Sequence, residues 1–128
     1  MIDRTNGLDP RFFAYYEETE WCVRVARLGL GIVHVPRAKI WHKISKDART
    51  SPQVHYYMTR NRLLFLKLSH MRLSAWLNTL LLDYGRTLLS WTLRPKWRCK
   101  ALQRRAMLQA ILDYGRGRFG RVEVAGSL

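Results

Sequence analysis

Gly7-Leu8-Asp9-Pro10-Arg11-Phe12-Phe13-Ala14-Tyr15-Tyr16-Glu17-Glu18-Thr19-Glu20-Trp21-Cys22-Val23-Arg24 is the stretch on which the reading of this 128-residue chain turns. Asn6-Gly7 and Asp9-Pro10 are turn punctuation. The aromatic run Phe12, Phe13, Tyr15 and Tyr16 then suits a strand or a buried loop. A helix is expected from about Glu17, with Glu17, Glu18 and Glu20 in its first turn, where the helix dipole favours anions. Trp21, Cys22, Val25 and Leu28 recur at helical spacing and predict its buried face, with Arg24 and Arg27 turned away. Gly29 fits the position just past a helix end. Beyond it, Gly31-Ile32-Val33-His34-Val35 is a β-branched run stopped by Pro36, and Ala38-Lys39-Ile40-Trp41-His42 reads as a second extended segment. The mixture predicts an α/β region over residues 1–47.

Residues 48–128 differ in character. Five of the nine acids lie before residue 21, whereas the later part is basic and helical in pattern. Ser51-Pro52 reads as an N-cap followed by proline in the first turn. Val54, Tyr57, Met58, Asn61, Leu64, Phe65 and Leu68 mark one face of that helix, and Asn61 is its odd polar member. A second helix is expected from Leu73 to Leu93, ended by Arg94-Pro95. A third runs from about Trp97 to Tyr114 and closes at Gly115-Arg116-Gly117. The second is long enough to cross a bilayer, at about 20 residues. Asn78, Asp83 and Arg86 interrupt it, and a central charge costs roughly 2.5–3.5 kcal/mol on insertion scales. It therefore reads as an amphipathic or core helix.

Composition removes several classes of function. The chain carries a formal net charge of +14 yet is 48% hydrophobic, too apolar and aromatic for a disordered tail. Cys22 and Cys99 are its two cysteines, with no Cys-x-x-Cys pair, so neither a disulfide scaffold nor a zinc site is expected. A reducing, cytoplasmic setting fits them, and Met1 to Gly7 show no apolar signal segment. The charge suits an anionic membrane surface, a nucleic acid or a phosphorylated substrate.

Two features carry candidate chemistry. Glu17, Glu18 and Glu20 are either solvated acids at a helix start or a general base. A carboxylate beside bulky aromatics is partly desolvated, and its pKa rises toward a useful range. His42 ends an extended segment. It is either structural or a neutral imidazole ligand for a metal.

The ordered set resembles family 2 glycosyltransferases. Residues 7–24 are similar to that family's "G-x-D-x-x-F-F-x-Y-x-E-D-x-D-x-x-x-R" segment. Ile32-Val33-His34-Val35-Pro36 and Ile40-Trp41-His42 follow at matching places, and Tyr56-Tyr57-Met58-Thr59-Arg60-Asn61-Arg62 resembles the "Y-x-x-R-N" helix of rhamnosyltransferase-like members. Ala110 to Gly117 is similar to the tail of such enzymes. The resemblance implies the carboxy-terminal, acceptor-side half of a GT-A fold, a Rossmann-like α/β layer, followed by a helical tail. It implies inverting transfer of a sugar from a nucleotide-sugar donor to a lipid-linked or polysaccharide acceptor. Glu18 stands at the position of the catalytic base, a Glu where Asp is commoner. Glu17, Glu20 and Trp41 would bind or orient the acceptor, and His42 would complete the ligand set of a divalent metal, Mg or Mn, beside the diphosphate. Arg60, Asn61 and Arg62 belong to the tail, expected to pack on the enzyme or on a membrane. The chain contains no Asp-x-Asp for donor and metal, so activity is expected only with the nucleotide-binding half. The implied location is peripheral to the inner face of the cell membrane, with no nucleic-acid partner. The alternative from composition is a small basic nucleic-acid-binding or amphipathic membrane-binding protein.

Overall fold

The structure, a computed structural model, describes residues 2–41 and 50–124. The chain order is α1 (Ile2–Thr5), α2 (Glu17–Arg27), α3 (Pro52–Leu68), α4 (Leu73–Leu77), a π-helical stretch (Asn78–Gly85), α5 (Arg86–Leu93), a 3-10 stretch (Pro95–Lys100) and α6 (Ala101–Gly115). No strand occurs among the described residues. The expected α/β, GT-A-like layer is therefore not formed, and the described fold is all-α. The reason lies in residues 30–41. Their β-branched composition favours extended backbone, but a strand also needs a ladder partner. None is present among the described residues, and Val33, Ile40 and Trp41 stand in solvent.

The centre of the fold is the packing of α3 against α6. Ser51 caps α3 by accepting from Val54 N at 3.2 Å, and Pro52 occupies the first turn, where its missing N–H is harmless. The helix ends with His70 at φ 49°, Met71 N donating to Leu66 O at 3.0 Å and His70 N to Lys67 O at 3.1 Å. Ala106 and Ala110, four residues apart and wholly buried, give α6 a smooth stripe on which Tyr56 and Tyr57 of α3 lie. Leu63, Tyr84 and Met107 form an adjoining apolar cluster, covered by Trp76, Leu88 and Trp91.

From Leu73 to Leu93 the chain is continuously helical, through α4, the π-helical stretch and α5. A π turn brings the carbonyl of residue i onto residue i+5. At Gly85 a Cβ would lie 3.2 Å from Leu80 O, so glycine gives the wide turn its room. Helix α2 differs from expectation on one face. Val25 is buried, Trp21 and Cys22 are half-buried, and Leu28 is exposed. Arg27 reaches from its last turn to Leu68 O and Ser69 O, at 3.3 and 2.7 Å, and ties α2 to the end of α3.

The amino-terminal loop is held by two consecutive residues of α3. Asn61 Nδ2 donates to Phe12 O, Ala14 O and Tyr15 O at 2.8, 2.6 and 2.9 Å. Arg60 donates to Gly120 O at 2.9 Å and to Arg11 O and Phe12 O, each at 3.2 Å. Its Nε bonds Asn61 Oδ1 at 3.0 Å, which fixes the amide's orientation. Both side chains are wholly buried. Arg60 and Asn61 thus pack inside the protein and offer nothing to a membrane. Asn61→Ala removes the side-chain donor from the part-buried carbonyls of Ala14 and Tyr15, while Phe12 O keeps Arg60; each carbonyl left without a donor costs about 1–3 kcal/mol. Urea denaturation should show a loss of at least that size, and a larger one for Asn61→Asp, whose carboxylate would face three carbonyl oxygens. An Asn61→Asp protein as stable as the parent would contradict the assignment.

Candidate functional site

The loop that Asn61 and Arg60 hold ends at the first turn of α2. Phe13, Tyr15 and Tyr16 all have positive φ, at 62°, 65° and 72°. Bulky residues in this region cost of order 1–3 kcal/mol each, and such strain persists only where surrounding contacts over-determine it. Those contacts are the carbonyl bonds to Arg60 and Asn61. Ring packing adds to them, with Phe13 on Tyr57 at 5.3 Å and Tyr16 on Phe65 at 5.7 Å. The strained backbone delivers Glu17, Glu18 and Glu20 to the start of α2.

The three acids have different surroundings. Glu20 is buried and forked onto Arg24, with Nε–Oε1 and Nη2–Oε2 both at 2.8 Å. The same guanidinium bonds Thr5 O, and Gly7 O at 2.8 Å. Glu20 therefore anchors α2 to the residues before it rather than facing an acceptor. Glu18, the expected base, is exposed. Glu17 is half-buried, and its Oε2 is shut from solvent with no hydrogen-bond partner among the described residues. Partial burial, and then the charge of Glu18, push the Glu17 carboxyl above the usual glutamate range. The acid with the environment of a base is Glu17.

Trp41 is 95% exposed. His42 lies outside the described residues, and so does its expected approach to Glu18. Among the described residues no three His, Cys, Asp or Glu side chains gather into a group suited to a metal ion.

Arg62 faces the opposite way from its two neighbours. Its Nη2 pairs with Asp83 Oδ2 at 2.7 Å, and both line a cleft of about 270 Å³ together with Tyr16, His55, Tyr84 and Trp91. That size falls just below the roughly 300–1,000 Å³ of typical ligand pockets. The π-helical stretch brings Asp83 to this wall and turns Tyr84 inward, where its hydroxyl donates to Thr59 O at 3.0 Å. His55 meets Trp91 edge-on at 5.5 Å. Burial, and secondarily the charge of Lys100, lower its pKa and favour the neutral imidazole. With Arg62 and Asp83 cancelling, the cleft joins aromatic walls to a neutral but strongly hydrogen-bonding rim. Sequence reading singled out Arg62 but not the cleft. Asp83, the single acid between Leu73 and Leu93, was the available signal for it.

Comparison with protein-family models, curated proteins and solved structures finds no match to this chain.

Because Glu17 is harder to ionise folded than unfolded, the folded chain holds its proton to higher pH. That penalty is absent below the ordinary glutamate range, where both states are protonated, and grows as pH rises through it. Glu17→Gln should therefore raise the melting temperature at pH 7, and the gain should vanish in acid. A variant less stable than the parent at pH 7 would show that the carboxylate has a stabilising partner.

Proposed function

We propose that this chain supplies the acceptor side of an inverting sugar-transfer reaction. The observation that carries the reading is the bond set from Arg60 and Asn61 to the carbonyls of residues 11–15. It joins the two stretches, 7–24 and 56–62, that separately resemble glycosyltransferase segments. Two stretches matched by chance would have no reason to be joined by buried polar side chains.

In this reading Glu17 is the base, with Glu18 beside it in the role of raising its proton affinity. The acceptor hydroxyl gives its proton to the Glu17 carboxylate as its oxygen bonds to the anomeric carbon. The nucleoside diphosphate leaves with the electrons of the broken C–O bond, and configuration inverts. A base works best with a pKa moved toward the working pH, and partial desolvation moves Glu17 in that direction. The cleft beside Tyr16 offers aromatic faces and an ion pair suited to an uncharged, polyhydroxylated group. With no Asp-x-Asp in the sequence, the donor diphosphate is held by groups outside these elements, and the chain acts on the acceptor.

Titration of the isotope-labelled chain followed by amide and indole NMR tests this. Methyl glycosides of common hexoses should shift signals of Glu17, Glu18 and Trp91 at millimolar concentration, whereas nucleoside diphosphates should not. Glu17→Gln should keep this binding, because it preserves shape, while abolishing transfer when a donor-binding partner is supplied. Nucleotide binding without glycoside binding would overturn the acceptor-side assignment. So would salt-sensitive binding of duplex DNA at the same residues, since phosphate contacts weaken steeply with salt.

A further inference from the structure

The helix from Leu73 to Leu93 carries large apolar side chains on both of its sides. Its inner side, with Trp76, Tyr84, Leu88 and Trp91, covers the core clusters of α3 and α6. Its outer side is also leucine-rich. Leu73, Leu81, Leu82, Leu89 and Leu93 are each between 59% and 72% exposed, and Leu77 is exposed between them. Exposed apolar area on this scale marks a surface that something covers.

Charge identifies the covering. From residue 72 to residue 98 the exposed cations are Arg72, Arg86, Arg94, Lys96 and Arg98. The single acid in that span, Asp83, is already paired with Arg62 on the inner side. Among the described residues, the leucines are thus bordered at both ends and in the middle by cations with no ion-pair partner. A second copy of the chain would set those cations against their own equivalents, with +14 on each molecule. No helix among the described residues is long and apolar enough to cross a membrane. Trp97, in the 3-10 stretch that follows the helix, has Lys96 Nζ 5.1 Å from its ring, an amphipathic pair of the type found at the headgroup level.

We infer that the outer face of the Leu73–Leu93 helix is an interfacial membrane-binding surface that lies flat on anionic lipid. The leucines enter the boundary between headgroups and acyl chains, and the arginines and lysine pair with lipid phosphates. The inference stands on leucine exposure and cation placement and does not depend on sugar transfer. Its geometry leaves the cleft of Arg62, Asp83 and Trp91 on the side of the helix away from the lipid.

Co-sedimentation of the full chain with vesicles tests it. Vesicles of phosphatidylglycerol and phosphatidylcholine should bind the chain, and vesicles of phosphatidylcholine alone should bind it at least about tenfold more weakly. Raising salt should weaken the first interaction. Leu89→Ser with Leu93→Ser should reduce partitioning by at least about tenfold, because both side chains lose their transfer into the lipid boundary. The helical circular dichroism should be unchanged, since both side chains are more than half exposed. Arg86→Gln with Arg94→Gln should lower binding to anionic vesicles only. Equal binding to both vesicle types, or a leucine double variant that folds and binds normally, would overturn the inference. So would a vesicle-free dimer dissociated by the leucine double variant, which would assign the face to a second copy.

Discussion

The buried guanidinium of Arg60 beside the buried amide of Asn61 is the constraint from which the rest of the architecture follows. Residues 11–15 lie in turns and bends, outside any helix or ladder that could satisfy their carbonyls. Enclosed groups of that kind must find a donor. Arg60 and Asn61 supply donors in consecutive positions of one rigid helix, which fixes the loop's path and the angle at which α2 leaves it. The same guanidinium lies 5.3 and 5.1 Å from the rings of Tyr56 and Tyr57, so aromatic faces complete its enclosure.

A buried cation needs a counter-charge, and in this fold it is reached through a relay. Arg60 Nη1 is 3.4 Å from the Tyr56 hydroxyl, which donates to the Asp113 carboxylate at 3.0 Å. Asp113 sits in α6, is 3% exposed, and lies 3.8 Å from Arg118. Burial holds the Tyr56 phenol as a proton donor, its pKa pushed up to about 12. The relay therefore couples the loop, α3, α6 and the segment after α6 in one polar network inside an apolar interface. Such networks are costly when incomplete and specify a single arrangement when complete. In this protein the network also supports three aromatic residues at positive φ, directly before the acids of α2.

Much of the helical part was legible locally. Ser51-Pro52, Arg94-Pro95 and the glycines after Tyr114 announce helix boundaries through capping chemistry and proline geometry, which act over a few residues. Residues 30–41 were not legible in the same way. Ile32, Val33 and Ile40 state a preference for extended backbone but cannot state whether another strand exists to pair with. Leu28 fits a helical stripe yet is exposed, because periodicity says which residues share a face and not what lies opposite. The π-helical turn at Asn78–Gly85 has only Gly85 as a mark in the sequence. Among the acids, spacing made Glu17, Glu18 and Glu20 equivalent. Tertiary contacts separated them, giving Glu20 to Arg24, leaving Glu18 in water and half-burying Glu17. Asn61 was conspicuous as a polar residue on an apolar stripe, but its partners lie more than forty residues away in sequence.

The described chain thus joins a polar core that positions an acidic helix start to an outer helix with an apolar, cation-bordered surface. Both depend on α3 holding its neighbours in register. Native-state hydrogen exchange on the parent chain and on Asn61→Ala tests that dependence most directly. Amides of α2 should lose protection far more than those around Ala106 and Ala110 in α6, because the α3–α6 contact does not need the loop. Unchanged α2 protection, or an equal loss in both helices, would contradict the central role of the Arg60–Asn61 clamp.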